Sequence, residues 1–588
     1  MIPRRAAVPL ALALLAGLAA PAQARMQPAR ARQGMVVSQN AVASEVGAAV
    51  LRDGGNAIDA AVATAFALAV THPTAGNIGG GGFIVYRPAS GEPVAYDFRE
   101  TAPAAARPDM FLVNGRYDAD RHHDSHVAVG VPGSVAGLHL AWTAHGRLPW
   151  KRLVEPAVRL ARDGFTVTEG LSRSLQGVLD EMKRRGLEAS LAQFTRSGVP
   201  YEAGDLLRQP DLARTLERIA EGGPAGFYGG ETADLLVREM QRGGGLITHR
   251  DLAAYTARRR PVLRGQYRGY EVLTVPPPSS GGVALLQMLN VLEGYDLGAR
   301  GFGSAAAVHV IAEAMRRAFA DRARHLGDPD FNPALPVSRL LSRAYAEELR
   351  RTIREDRASV SSPARFEWPA ESAQTTHISV MDEARNAVSF TTTLEDEYGS
   401  KIVVPGAGFL LNNEMGDFNA GPGLTDDTGL IGTEPNLAAP GKRMLSSMTP
   451  TILARDGRPF LVVGSPGGRT IINTVLQVIL NVVDFGMNVQ DAVDAPRFHH
   501  QWLPDRIRYE KNGLSPDTLA LLKSRGHPLD ASDVQGVAQA IVFDAARGLL
   551  EGATDRRASD GAVAGLARPQ AAAGRPLPAL KNTSEKLQ

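Results

Sequence analysis

The sequence predicts a mixed α/β fold, and three observations carry that prediction. Residues 135 to 350 follow a mostly helical hydrophobic period. Residues 356 to 374 form a polar, small-residue stretch interrupted by Pro363 and Pro369, which reads as an exposed, cuttable loop. From Thr376 onward the period shortens to the two-residue alternation of strands.

The chain has 588 residues, 44% hydrophobic and 21% charged, an ordinary globular balance with length for a large core. Length alone favours two or more domains. The 64 basic and 62 acidic residues leave a formal charge of +2, so no net field draws the protein to nucleic acid or an anionic membrane. The basic runs Arg184–Arg185 and Arg258–Arg260 read as solvated surface charge. There is no cysteine, which excludes disulfides, thiolate metal sites and cysteine nucleophiles.

Residues 1–24 read as a signal peptide. Arg4 and Arg5 precede the apolar stretch Ala6 to Ala20, and Ala22-Gln23-Ala24 is a small-x-small cleavage site. Export to a secreted or periplasmic location is therefore expected, and no other stretch is long and apolar enough to span a bilayer. From Val37 the text reads as helix, running through Ala41 to Leu51 until Asp53-Gly54-Gly55-Asn56 breaks it. Ala57 to Val70 follows as a buried helix. After Gly79–Gly82 come the strands Phe83–Tyr86 and Pro93–Phe98, a hairpin across Pro88–Gly91 that ends at Arg99. Pro276–Gly282 is an irregular loop opening onto a helix at about Val283. Thr376–Met381 and Ala387–Leu394 are strands joined by a turn at Asp382–Asn386, and further β-like runs lie at 408–411, 450–454 and 459–463. Thr470 to Phe485 is a helix apolar nearly all round, and the last twenty residues from Pro569 are expected to be disordered.

Thr375 opens the strand that follows the cuttable loop. A threonine hydroxyl is a weak nucleophile and needs a base, which an N-terminal threonine carries in its own α-amine. Cleavage between Gln374 and Thr375 would create both groups at once. The alternative is that these threonines are merely strand formers. On the returning strand Ser389, Thr391 and Thr393 share one face, while Val388 and Phe390 share the other, toward the core. The hydroxyl face either serves Thr375 or faces solvent.

Ordered motifs then narrow the choice. The runs Thr375–Val380, Asn386-Ala387-Val388, Thr391–Leu394, Gly408–Phe418, Leu445–Thr451 and Gly464–Gly468 closely resemble the γ-glutamyltransferase (γ-glutamyltranspeptidase) family. So do Asp53–Ala57, Gly79–Phe83, Asp97–Glu100 with Ala102-Pro103, Val131–Ser134 and Pro496–Gln501. The resemblance covers residues 35 to 566. It implies an N-terminal nucleophile (Ntn) hydrolase fold, a four-layer αββα sandwich. It also implies self-cleavage into a large subunit, 25–374, and a small subunit, 375–588, that form one interlaced domain. The implied reaction passes the γ-glutamyl group of glutathione, or a related compound, through Thr375 to water or to the amine of an amino acid or dipeptide. No cofactor and no metal is implied.

By resemblance, Thr393 hydrogen-bonds the nucleophile, Thr391 helps order the site, and Gly467 and Gly468 are the oxyanion pair. A phosphate loop is the competing reading of those glycines, but its Gly-Lys-Ser/Thr ending is missing. By the same resemblance, Arg99, Ser446 and Ser447 would hold the substrate α-carboxylate, and Glu395, Glu414 and Asp417 its α-ammonium. Asn is common in the family at the position of Glu395, though some members carry Glu. Asn419 to Leu430 aligns with a pocket-covering loop whose aromatic gate position is Thr428 here. The histidines His122, His123 and His126 read as a surface loop, His499 and His500 as structural, and Gly79–Gly82 as close backbone packing. The competing functions are a β-lactam side-chain acylase acting on glutaryl-type cephalosporins and an uncleaved binding protein of the same fold.

Overall fold

A computed structural model describes residues 26–361, 375–424 and 432–567. The signal peptide, the stretch from 362 through Gln374, the gate position Thr428 and the tail from Pro569 lie outside the described residues. In chain order the main strands are β1 (Ala29–Ala31), β2 (Gly34–Ser38), β3 (Gly81–Arg87), β4 (Val94–Asp97), β5 (Arg258–Pro261), β6 (Leu263–Tyr267) and β7 (Tyr270–Thr274). They continue with β8 (Thr376–Met381), β9 (Ala387–Thr393), β10 (Thr451–Arg455), β11 (Arg458–Gly464), β12 (Gln539–Asp544), β13 (Leu549–Thr554) and β14 (Ala562–Leu566). They form two seven-stranded sheets, β5-β4-β3-β9-β8-β2-β14 and β1-β13-β12-β11-β10-β7-β6. Each sheet draws strands from both sides of Thr375.

The first sheet buries its two faces differently. Ile84, Tyr86, Ile378, Val380, Val388 and Phe390 share one core with the helices α1 (Ala41–Arg52), α2 (Ala57–Thr71) and α3 (Trp150–Asp163). Met35, Val37, Phe83, Val85, Met381 and Ala387 point the other way. They share a second core with the second sheet and with α4 (Gly281–Leu292), α5 (Ala305–His325) and α6 (Thr470–Val483). The layers are helix, sheet, sheet, helix, as the resemblance implied. No helix among the described residues is long and apolar enough to cross a membrane.

Local chemistry explains the main boundaries. The break before α2 is its cap: Asn56 Oδ1 accepts from the amides of Ile58 and Asp59, and Asp59 Oδ2 accepts from the Asn56 amide, all at 3.0 Å. All fifteen residues of α2 are buried, as the unbroken Ala-rich run predicts. Val37 lies in β2 and not in a helix. That strand is buried along its whole length between β8 and β14, so it shows no polar alternation to mark it. Strands β5 to β7 interrupt the helical middle. The run 408–411 makes a single bridge, Leu410 to Val403, and no strand. Arg260 is not solvated surface charge: it donates to Asp97 at 2.6 Å and to Asp330 at 2.7 Å with its side chain only 12% exposed.

The hydroxyl face of β9 meets the second sheet, not solvent. Ser389 Oγ donates to the Val463 carbonyl and accepts from the Thr451 amide, both at 2.9 Å. Ser379 Oγ donates to the Gln539 carbonyl at 3.1 Å. The sheets are stitched by these bonds as well as by apolar packing.

The glycine run is close backbone packing. A Cβ on Gly79, Gly80, Gly81 or Gly82 would stand 2.1, 2.1, 2.5 or 2.4 Å from a backbone oxygen of Leu410, Thr393, Phe98 or Thr391. Backbone cannot yield as a side chain can. Gly80→Ala is therefore expected to cost about 1–3 kcal/mol or more, read as a lower midpoint in denaturant unfolding of the purified protein.

Candidate active site

The reactive centre is set by strand register. Thr376 opens β8 opposite Thr392, and Thr393 closes β9 opposite Gly81 of β3. Thr375 therefore sits one step beyond β8, beside Thr393. Thr375 Oγ1 donates to Thr393 Oγ1 at 3.4 Å, and the Glu395 amide donates to the same oxygen at 2.9 Å. Asn77 Nδ2 holds the Thr393 carbonyl at 2.9 Å. Thr375 is only 4% exposed.

Thr391 acts at one remove. Its hydroxyl lies 2.8 Å from His377 Nδ1, and His377 Nε2 lies 3.1 Å from Ser379 Oγ. Burial pushes His377 down to about 3, so the ring stays neutral at ordinary pH. It packs on Gly464, where a Cβ would stand 2.2 Å from the ring. The threonine face is thereby coupled to the end of β11. Beyond it the chain turns through Gly467 and Gly468, with φ of 131° and 55°, conformations that favour glycine. The Gly467 carbonyl accepts from the Thr470 hydroxyl at 2.6 Å, fixing the turn where α6 begins. Neither glycine amide is donated to an acceptor among the described residues.

Arg99 follows β4 and is 1% exposed. It is ion-paired to Glu414 and Asp417, and its Nη1 lies 3.5 Å from Glu100. The two acids stand on one helical turn, Glu414–Asp417, so both reach one cation. Glu395 has φ of 79° and is 8% exposed. Burial raises its carboxyl well above the ordinary range, and the nearby Asp396, Asp417 and Glu414 raise it further. Burial raises Glu414 as well, against the pull of Arg99. Arg99, Thr375, Thr393, Glu395, Glu414, Asp417, Ser446, Ser447 and Gly468 all line one recess of about 30 Å³. Of the residues expected at the site, Thr391 and Gly467 lie behind this lining, and Gln374 is outside the described residues.

The histidine stretch is not simply a surface loop. His122 is buried, with Nε2 at 3.2 Å from the Met415 carbonyl and Nδ1 at 3.1 Å from the Tyr117 hydroxyl. His123 Nδ1 lies 3.5 Å from Glu395 Oε1. The stretch braces the turn carrying Glu414 and Asp417. Sequence spacing held no signal for this, because the contact is long-range and irregular. His499 and His500 diverge as expected, to Asn473 and to Asp505. No group of His, Asp or Glu among the described residues is arranged to hold a metal ion. Glu100 follows Arg99 directly. It is fully buried, neither carboxylate oxygen accepts a hydrogen bond among the described residues, and burial pushes it up to about 7.

Comparison with known proteins bears on this geometry. The family model described as Gamma-glutamyltranspeptidase matches residues 43–565. A protein of Escherichia coli K12 named glutathione hydrolase proenzyme is 49% identical over 542 residues, 92% of this chain and 93% of that protein. The crystal structure of a cephalosporin acylase from Bacillus halodurans superposes with a TM-score of 0.82 at 29% identity, covering 93% of this chain and 98% of that one. A gamma-glutamyltranspeptidase structure from Helicobacter pylori gives a TM-score of 0.53 at 44% identity over 54% of this chain and 91% of that one.

The raised Glu100 carboxyl has a stability consequence. The folded state holds its proton to about 7, while the unfolded chain releases it near 4.5. Rising pH across that window therefore favours unfolding. Glu100→Gln carries no such proton. Relative to wild type it is expected to gain up to about 3 kcal/mol as pH climbs through the window. Denaturant melts of both proteins across that pH series measure the difference.

Proposed function

Because this chain belongs to the gamma-glutamyltranspeptidase family, with the Ntn-hydrolase fold of its solved relatives, we propose that it is a self-cleaving γ-glutamyltransferase and glutathione hydrolase. The observation that carries this reading is the meeting, in one recess, of a strand-end threonine, a glycine, Gly468, whose amide is donated to no acceptor among the described residues, and a cation flanked by carboxylates.

Self-cleavage begins with Thr375 Oγ attacking the Gln374 carbonyl carbon. The peptide C–N bond breaks, leaving an ester and a free α-amine on Thr375. Water then cleaves the ester, so the large subunit ends at Gln374 and the small subunit begins at Thr375. The amine, titrating near 8 when unperturbed, now takes the hydroxyl proton. Thr375 Oγ attacks the γ-carbonyl of the donor, and the Gly467 and Gly468 amides receive the oxyanion. The amine returns its proton to the leaving nitrogen. Water or an acceptor amine next attacks the γ-glutamyl ester and frees Thr375. Thr393 holds the nucleophile's hydroxyl throughout, and Thr391 supports it through His377.

The donor's α-carboxylate fits Arg99 with the hydroxyls of Ser446 and Ser447, and its α-ammonium fits Glu395, Glu414 and Asp417. In the described state Arg99 is closed onto two of those acids. Binding therefore exchanges one set of ion pairs for another, the zwitterion entering between Arg99 and its partners.

The acylase neighbour keeps a glutaryl donor as the second reading. A glutaryl group has no ammonium to satisfy the acids. Turnover of γ-glutamyl-p-nitroanilide is expected to exceed that of glutaryl-p-nitroanilide by at least about a hundredfold, and the reverse preference would sink the γ-glutamyl reading. Thr375→Ala is expected to stay as one uncut chain without activity. Intact-mass spectrometry reads this directly, and a normally cut, active variant would remove Thr375 as the nucleophile.

A further inference from the structure

Arg322 stands in the last turn of α5, 2% exposed, and nothing above assigns it a role. Its Nη2 donates to Ser447 Oγ at 2.9 Å, and its Nε donates to Ser280 Oγ at 2.7 Å. Ser280 Oγ donates in turn to the Ser446 carbonyl at 2.6 Å, and Ser279 Oγ to the Met448 carbonyl at 2.6 Å. The guanidinium and the two serines thus cradle the segment 446–448.

A guanidinium has donors only. Ser447 Oγ must therefore accept from Arg322, which leaves its single proton for another partner. Ser446 Oγ is occupied in the same sense, accepting from the Met448 amide at 3.1 Å. Neither hydroxyl proton goes to an acceptor among the described residues, and both serines line the recess. Two hydroxyls are pre-aimed as donors at one place.

The charge count shows why a second cation matters there. Arg99 is shared among Glu100, Glu414 and Asp417, with Glu395 close by. An incoming carboxylate meets more negative than positive charge. A guanidinium bonded behind Ser447 offsets that repulsion and polarises the O–H that faces the ligand.

We propose that Arg322 is a positioning residue for the α-carboxylate of the donor, acting through Ser447; this rests on the γ-glutamyl reading of the site. The test compares γ-glutamyl-p-nitroanilide with 4-aminobutyryl-p-nitroanilide, which keeps the amine and the scissile amide but lacks the α-carboxylate. Arg322→Gln is expected to raise KM for the first donor by about tenfold or more, with kcat within about twofold. For the second donor kcat/KM stays within about twofold. Arg322→Gln added to Ser447→Ala costs less than about twofold further, because Arg322 acts through the Ser447 hydroxyl. Arg322→Lys keeps the charge but cannot serve Ser280 and Ser447 together, and shows the same donor-selective rise at smaller size. An equal loss on both donors, or failure of both variants to self-cleave, overturns the proposal and leaves Arg322 structural. A self-cleaved wild-type protein that turns over neither donor overturns the γ-glutamyl reading instead.

Discussion

The pairing of β8 with β9 sets the distance between Thr375 and every group that acts on it. Thr376 faces Thr392 and Met381 faces Ala387, so the six pairs between them fix one register. A slip of one residue would turn Thr393 toward the helices and bring Thr392 to the inner face. The apolar set Ile378, Val380, Val388 and Phe390 would then leave its core. Burial of these side chains therefore enforces the placement of the threonines. The same ladder bears on the proposed cut. β8 pairs on its other side with β2, and β9 with β3, and both of these precede Thr375. A break before Thr375 would leave its strand hydrogen-bonded to the first part of the chain on one side and to β9 on the other.

Between the sheets lies a narrow polar layer made of His377, Ser379, Ser389 and Thr391. Buried polar groups are costly unless paired, and the hydrogen bonds of these four run to one another or to the second sheet. The layer ends at Gly464, against which the His377 ring rests, and the glycine turn begins just beyond. The polar layer thus reaches from the threonine face to the end of β11. The turn itself is held by the Thr470 amide and hydroxyl, which both donate to the Gly467 carbonyl.

Much of this was legible in the residues, for physical reasons that differ by element. Strand alternation at 376–381 and 387–393 reads directly, because each strand shows one apolar and one polar face. Alternation names the faces but not what covers them, so the hydroxyl face could not be told from a solvent face until the second sheet lay against it. Gly34–Ser38 shows the converse limit: a strand buried along its whole length loses the alternation that marks one. Arg260 looked like surface charge because its partners Asp97 and Asp330 are far away in sequence. The family-like motifs placed Arg99, Glu395, Glu414, Asp417, Ser446, Ser447 and Gly468, and these share one recess with Thr375. Nothing local could show that Arg99 closes onto the acids, or that His123 stands against Glu395.

Glu395 concentrates the remaining electrostatics of the pocket. Its left-handed backbone is uncommon for a residue with a side chain; its amide holds Thr393 while its carboxyl turns into the recess. An asparagine there would present a neutral amide. The carboxyl instead adds a third acid to Glu414 and Asp417, with Arg99 the nearest guanidinium and the His123 ring at 3.5 Å. With Glu395 and Glu414 buried and Asp417 beside them around one shared cation, burial and mutual repulsion raise the carboxyls of Glu395 and Glu414 well above the ordinary range. A ligand ammonium changes that balance, since it supplies the missing positive charge and favours loss of the proton. Ligand binding and deprotonation of this acid cluster are therefore linked, and each strengthens the other. That linkage follows from burial and charge number, and it distinguishes this pocket from one with asparagine at the same place.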